Sequence, residues 1–162
     1  MKIKGMVTVS IGMALMVHTA LADDLKPGSE LDIGSMGSAP RQTASIYQLG
    51  QGNDATILQH GSYNGAHISQ QGYANIAHTS QAGNANEARV IQSGAQLEAS
   101  ILQKGHGHDA SIVQAGYGKE ATINQHGVHG SAEIHQLGNH RTSSITVTQF
   151  SRGQAAVQVY RY

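Results

Sequence analysis

The 162-residue chain contains no cysteine and no tryptophan, a single phenylalanine and two prolines, and only 12% of its residues are charged. Without cysteine there is no disulfide and no thiol chemistry. So few large aromatic side chains leave a conventional globular core poorly supplied, and a formal net charge of +0 lacks the repulsion that keeps ordinary disordered chains open. The length allows one modest domain. Abundant instead are glycine, at 20 residues, and glutamine, asparagine, serine and alanine. That composition points to a repetitive chain whose polar side chains are satisfied by regular stacking.

Residues 1–22 read as a secretory signal peptide. Lys2 and Lys4 form a positive start, Met6 to Val17 an apolar run too short to span a bilayer comfortably, and Ala20-Leu21-Ala22 a small-x-small cleavage site. A mature chain starting at Asp23 carries eight Lys and Arg against ten Asp and Glu, a formal charge of −2 that favours neither nucleic-acid binding nor a trap for acidic ligands. Residues 23–41 hold Pro27, Pro40 and several Gly-Ser pairs without apolar periodicity, the pattern of a flexible segment able to serve as an export or targeting address.

From Gln42 to Tyr162 the chain divides into eleven units of eleven residues, beginning with the pattern of Ala44 to Asp54. Alanine recurs at 44, 55, 66, 77, 88, 99, 110, 121 and 132. Two residues on stands a β-branched column: Ile46, Ile57, Ile68, Val90, Ile101, Ile112, Ile123, Ile134 and Ile145, with Thr79 and Ala156 as its exceptions. Two further on come Gln48, Gln59, Gln70, Gln81, Gln92, Gln103, Gln114, Gln125, Gln136 and Gln158, broken at Val147. Then follow Gly50, Gly61, Gly72, Gly83, Gly94, Gly105, Gly116, Gly127 and Gly138, the expected bends.

An eleven-residue period also suits a right-handed helical supercoil, but three features exclude it. The ordered positions step by two, as in a strand. The most regular apolar position is β-branched, which suits a pleated surface. A glycine in every unit would cost each helical stretch about 1 kcal/mol relative to alanine. Each unit is therefore expected to be a strand of about five residues followed by a glycine-containing bend. Units of this kind stack into a β-solenoid, because one unit alone has no partner for its apolar face. Two units per coil give 22-residue rungs, two facing parallel sheets, about five and a half rungs and a stack roughly 26 Å tall at about 4.8 Å per rung.

The shared parity of Ala, Ile and Gln turns all three side chains inward. A lone buried amide left unpaired costs about 1–3 kcal/mol, so the glutamines are expected to pair with one another along each sheet. Asn53, Asn64, Asn75 and Asn86 follow the bends, where asparagine tolerates unusual backbone angles and adds a shorter ladder; the column decays into Leu97, His108, Lys119, Gly130, Arg141 and Arg152.

The run Gln48-x-Gly50-x-Gly52-Asn53-x-Ala55-x-x-x-Gln59 and its later copies resemble the curlin repeat of bacterial curli amyloid subunits, over residues 42–162. That pattern carries a serine six residues before its first glutamine; Gln42, Asn64, Asn86, His108, Gly130 and Arg152 stand there instead. The resemblance implies an amyloid-forming, secreted structural subunit of a Gram-negative bacterium. It would pass an outer-membrane curli secretion pore with accessory factors and polymerise with other curlin subunits at the cell surface, supporting biofilm matrix and adhesion. It implies no cofactor, no metal and no nucleic acid.

Curli pair a major fibre subunit with a minor one that nucleates it. The last two units lose Ala, Gly and a Gln, and no acidic residue follows Glu133, whereas Arg141, Arg152 and Arg161 do. A stack with one regular end and one irregular basic end, able to meet an anionic surface, resembles the minor subunit; the alternatives are the major subunit and a non-polymerising β-solenoid adhesin or binding module. Catalysis finds no constellation. Asp54, Glu87, Glu98, Asp109 and Glu120 share one phase beside the bends and read as outward gatekeepers. Nine histidines remain after residue 22, most expected outward or in bends, with His106, His108, His126 and His129 along one edge.

Overall fold

The computed structural model describes residues 4–10 and 16–20, for their strand pairing alone, and residues 41–138 and 144–162. Its strands are β1 (Lys4–Ser10), β2 (Met16–Ala20), β3 (Thr43–Gln51), β4 (Asp54–Ser62), β5 (Gly65–Tyr73), β6 (Ile76–Asn84), β7 (Glu87–Ala95), β8 (Glu98–His106), β9 (Asp109–Tyr117), β10 (Glu120–Gln136) and β11 (Ile145–Arg161). The fold is all-β, a parallel β-solenoid of about 5 turns with ~22-residue rungs. β3, β5, β7, β9 and the second half of β10 pair in parallel on one side. β4, β6, β8 and the first half of β10 do so on the other.

The register follows the repeat. Ala44 lies beside Ala66, Ile46 beside Ile68 and Gln48 beside Gln70. Period-two side-chain direction then puts each Ala–Ile–Gln triplet into the narrow space between the sheets. The core is accordingly one column of alanines and one of Ile46, Ile57, Ile68, Val90, Ile101, Ile112, Ile123 and Ile134. Burying such an aliphatic side chain contributes roughly 1.5–3 kcal/mol, which offsets the scarcity of aromatic residues.

Two local features differ from the sequence expectation. The strands from β3 to β9 have nine residues, not about five, because backbone pairing from rung to rung continues past the glycine. The glycine therefore sits inside the strand. At Gly94, φ is +141° and an added Cβ would lie 1.9 Å from the carbonyl oxygen of Gly116 in the next rung, so neither backbone angle nor space admits a side chain. The left-handed residue of each turn is the one before the asparagine position, at Tyr63, Ala74, Ala85, Gln96 and His129 among others. The asparagines themselves serve as buried hydrogen-bonding groups.

The final rung departs further. Across β10 and β11, Ala121 faces Ile145, Ile123 faces Val147 and Gln125 faces Gln149, and the register shifts again between Val128 and Gly130. Ile145 thus continues the alanine column, Val147 the isoleucine column, and Gln149 the glutamine column. Gln158 lies beside Glu133, exposed and outside any ladder. These are corrections to Ile145 and Gln158. The slip of two residues along the first half of β11 preserves inward parity, so Val147 and Gln149 take the inward places; the extra residue at the bulge makes the slip three along the second half, which reverses parity and turns Gln158 outward.

Antiparallel strands cover the opposite end: β1 on β4, with Val7 beside Ile57, and β2 on β3, with Met16 beside Gln48. The segment 23–40 and Arg141 lie outside the described residues.

Candidate assembly site: the amide ladders and the end faces

The glutamines form two ladders with one direction. On the first sheet, Gln48 Nε2 donates to Gln70 Oε1 at 2.6 Å, Gln70 to Gln92 at 2.9 Å, Gln92 to Gln114 at 3.0 Å and Gln114 to Gln136 at 2.8 Å. On the second, Gln59 donates to Gln81 at 2.9 Å, Gln81 to Gln103 at 2.9 Å, Gln103 to Gln125 at 3.0 Å and Gln125 to Gln149 at 3.0 Å. Every donor points toward the C-terminal end of the stack.

The second amide hydrogen crosses the core. Gln59 reaches the carbonyl of Thr43 at 2.9 Å, Gln70 that of Asp54 at 2.9 Å, and the pattern runs on to Gln136 and Glu120 at 3.0 Å. Each such glutamine thus ties its own sheet together and joins it to the facing one. Parity alone indicates the first role; only the two-sheet geometry supplies the second.

Asparagine closes the corners. Asn53 Nδ2 donates to the carbonyls of Leu49 and Gly72, and its Oδ1 accepts the backbone N–H of Asn75 at 3.1 Å. Asn64 and Asn75 repeat this, and Asn86 Nδ2 donates instead to the Gly105 carbonyl and Asn64 Oδ1; the Oδ1 atoms of Asn64, Asn75 and Asn86 accept the backbone N–H of Asn86, Leu97 and His108. His108 then substitutes for asparagine. Its Nδ1 accepts the N–H of Gly130 at 3.1 Å while Nε2 faces the carbonyl of Lys104 at 3.3 Å, so the ring is the neutral Nε2–H tautomer. His108 is 1% exposed, at a position of the asparagine column. Leu97 and Lys119 are equally buried at asparagine positions.

The other histidines of that edge lie outside. The rings of His106 and His129 meet edge to face at 5.5 Å between centroids, and His126 stacks on Phe150 at 5.2 Å. Among the described residues, no group of three or more His, Asp or Glu is arranged to hold a metal.

The acidic phase splits between the two corners, so Glu87 lies beside Asp109 and Glu98 beside Glu120 on neighbouring rungs. Burial, with Glu87 and Glu133 adding to it, raises the carboxyl pKa of Asp109 above its ordinary value. Glu133 is held below the carboxylate range mainly by its hydrogen bond with His135, at 2.6 Å. Gln158 and Tyr160 also bond to Glu133, and Tyr160 stacks on His135, so this cluster fastens β11 to β10.

The two end faces are unlike. At the first rung, Gln48 is buried and its Oε1 has no hydrogen-bond partner. At the last rung, Gln149 Nε2 donates to the carbonyl of Ala155 at 2.9 Å and has no further glutamine beyond it. On the other sheet, Val157, Val159 and Arg161 stand beside Ala132, Ile134 and Gln136, ending that ladder in a guanidinium. Arg152 is exposed at the corner beside Val128. Sequence periodicity missed Gln149 and Ser151, although the alternation of Val147, Gln149 and Ser151 carries the slipped frame.

Polar ladders stacked around an aliphatic column at a fixed period define a repeat solenoid. Residues 42–72, 61–94 and 83–116 match the curlin associated repeat. Neither the curated proteins nor the solved structures hold a match to this chain.

Proposed function

We propose that this chain is the minor curli subunit, which nucleates polymerisation of a major curlin at the surface of a Gram-negative cell. Residues 1–22 are its export signal, residues 23–41 its address for the outer-membrane secretion pore, and the stack its extracellular form. The observation that carries this reading is the contrast between the ends. The first rungs keep the Ala–Ile–Gln register with Thr79 as the one replacement, whereas β11 slips register and ends in Arg161, with Arg152 exposed beside it. The regular end templates an incoming chain through its backbone groups. The basic end meets an anionic surface. Fibres of this kind serve biofilm matrix and adhesion.

The test adds the processed chain at a low molar fraction to a companion curlin. Abolition of the companion's lag supports nucleation. Slow independent assembly without seeding transfers the reading to the major subunit, which is favoured by one observation: Gln149 carries the second ladder into the last rung.

A further inference from the structure

The winding of the chain sets how two copies meet. Strand segments alternate between the sheets, and β10 and β11 each cross a corner and contribute one segment to both. From β3 onward, β3, β5, β7, β9 and the second halves of β10 and β11 form one sheet; β4, β6, β8 and the two first halves form the other. The sheets are thus unequal by one strand. The described stack from β3 to the second half of β11 begins and ends on the same sheet, so the next position of the coil lies on the shorter one, above the first half of β11.

We infer that a second copy of this chain stacks head to tail with a half-turn about the axis, its β3 lying on the first half of β11, where Gln149 Nε2 donates to the unpartnered Gln48 Oε1. Direction, chemistry and pattern agree on this joint. All eight glutamine-to-glutamine bonds run from Nε2 of one rung to Oε1 of the rung on its C-terminal side. Gln48 lacks the donor that this order requires, and among the described residues Gln149 Nε2 meets no further glutamine oxygen, only the Ala155 carbonyl. Ile145, Val147 and Gln149 face Ala121, Ile123 and Gln125, so they present the inward triplet that Ala44, Ile46 and Gln48 continue. The second half of β11 then receives β4. Stacking without the half-turn would put β3 over Val157, Val159 and Arg161 and leave a one-strand gap in the shorter sheet.

In the full chain β2 occupies this edge of β3, antiparallel, with Met16 opposite Gln48. Its backbone takes the pairing edge that an incoming strand would need. The joint therefore forms after residues 1–22 are gone. It rests on the reading of the chain as a stacking fibre subunit, and not on the choice between minor and major roles.

The absence of cysteine makes the joint directly testable. In fibres of the processed chain with a half-turn, Tyr47 of one copy lies beside Thr148 of the next; without it, Tyr47 lies beside Tyr160. Within one chain Tyr47 and Thr148 are on opposite sheets and roughly 20 Å apart along the stack at about 4.8 Å per rung, beyond any disulfide. Mild oxidation should link Y47C/T148C fibres into covalent ladders on a denaturing gel and leave Y47C/Y160C fibres monomeric. The reverse result, or equal linkage of both, overturns the half-turn; linkage of neither overturns the joint itself. Should the variants not assemble, wild-type fibres mixed from two isotope labels decide by magnetic resonance. Interchain contacts are expected between residues 46–48 and 147–149, and contacts to 159–161 instead refute them. If the wild-type chain forms no cross-β fibre, the fibre-subunit reading fails, an outcome distinct from fibres with another joint.

Discussion

Gln70 lies directly beside Gln48 in the next rung, and its Oε1 accepts the Gln48 amide hydrogen at 2.6 Å while its own Nε2 donates onward to Gln92. The same amide also holds the carbonyl of Asp54 on the facing sheet. A side chain that would be a liability alone is thereby the main lateral and transverse tie of the fold.

An interior break in this order should be costly. Gln92→Leu leaves the Gln70 amide hydrogen, the Gln114 oxygen and the Ile76 carbonyl without partners. At about 1–3 kcal/mol per buried orphan, a loss of about 3 kcal/mol or more is expected. Denaturant unfolding of the soluble chain measures it, and a loss below about 1 kcal/mol would show that water replaces the ladder.

The glycines divide into two kinds. Gly94→Ala places Cβ against the Gly116 carbonyl at 1.9 Å, whereas at Gly52 the nearest atoms to an added Cβ are 3.8 Å away. Gly52→Ala should therefore cost only the left-handed backbone penalty, about 1–2 kcal/mol. Gly94→Ala should separate two rungs, seen as fast amide exchange at residues 94–96 and 116–118. Equal effects from the two substitutions would refute the close-approach argument.

Thr79 interrupts the isoleucine column between Ile57 and Ile101, 2% exposed, with a hydroxyl that has no partner. Thr79→Val keeps the shape and removes the unpaired group. It should raise stability by about 1 kcal/mol, and faster fibre growth should accompany it. A destabilised variant would mean that the hydroxyl has a bound water partner.

Acid should act in two opposed steps. The pKa of His67 is lowered from 6.5 by burial and then by Arg89, so the folded state resists its protonation; stability falls as pH drops from 6.5 toward that lower value. Asp109 has the opposite sign for a carboxylate, because its raised pKa makes the folded state bind the proton more tightly. Its contribution rises as pH falls toward the raised value and is complete below 3.8. Asp109→Asn should abolish the second, stabilising step and His67→Asn the first, both read from unfolding midpoints between pH 7 and 3. An unchanged profile in both variants would refute the assignment.

Much of the fold was legible because an unbroken period leaves few solutions. Ala44, Ile46 and Gln48 share parity, their copies recur at 22-residue spacing, and β-branched residues oppose a helix. The register of β11 was not legible, since Val147 serves equally as a broken glutamine position or as a slipped isoleucine position. Only the pairing with β10 distinguishes them. The phase count placed His108 in the asparagine column and on the histidine edge, but ring nitrogens are not obvious substitutes for a carboxamide. Its buried role appears only when Gly130 N–H and the Lys104 carbonyl are seen on either side.

The sequence by itself determined the solenoid, its two-unit rung and the inward columns, because side-chain alternation and an eleven-residue period are local properties of the chain. Tertiary structure alone decided the direction of the amide ladders, the transverse bonds from each glutamine to the facing sheet, the slipped last rung and the unequal number of strands in the two sheets. Those depend on which groups meet across a distance of 16, 22 or 24 residues, where pairing energy selects among frames that local pattern leaves equivalent.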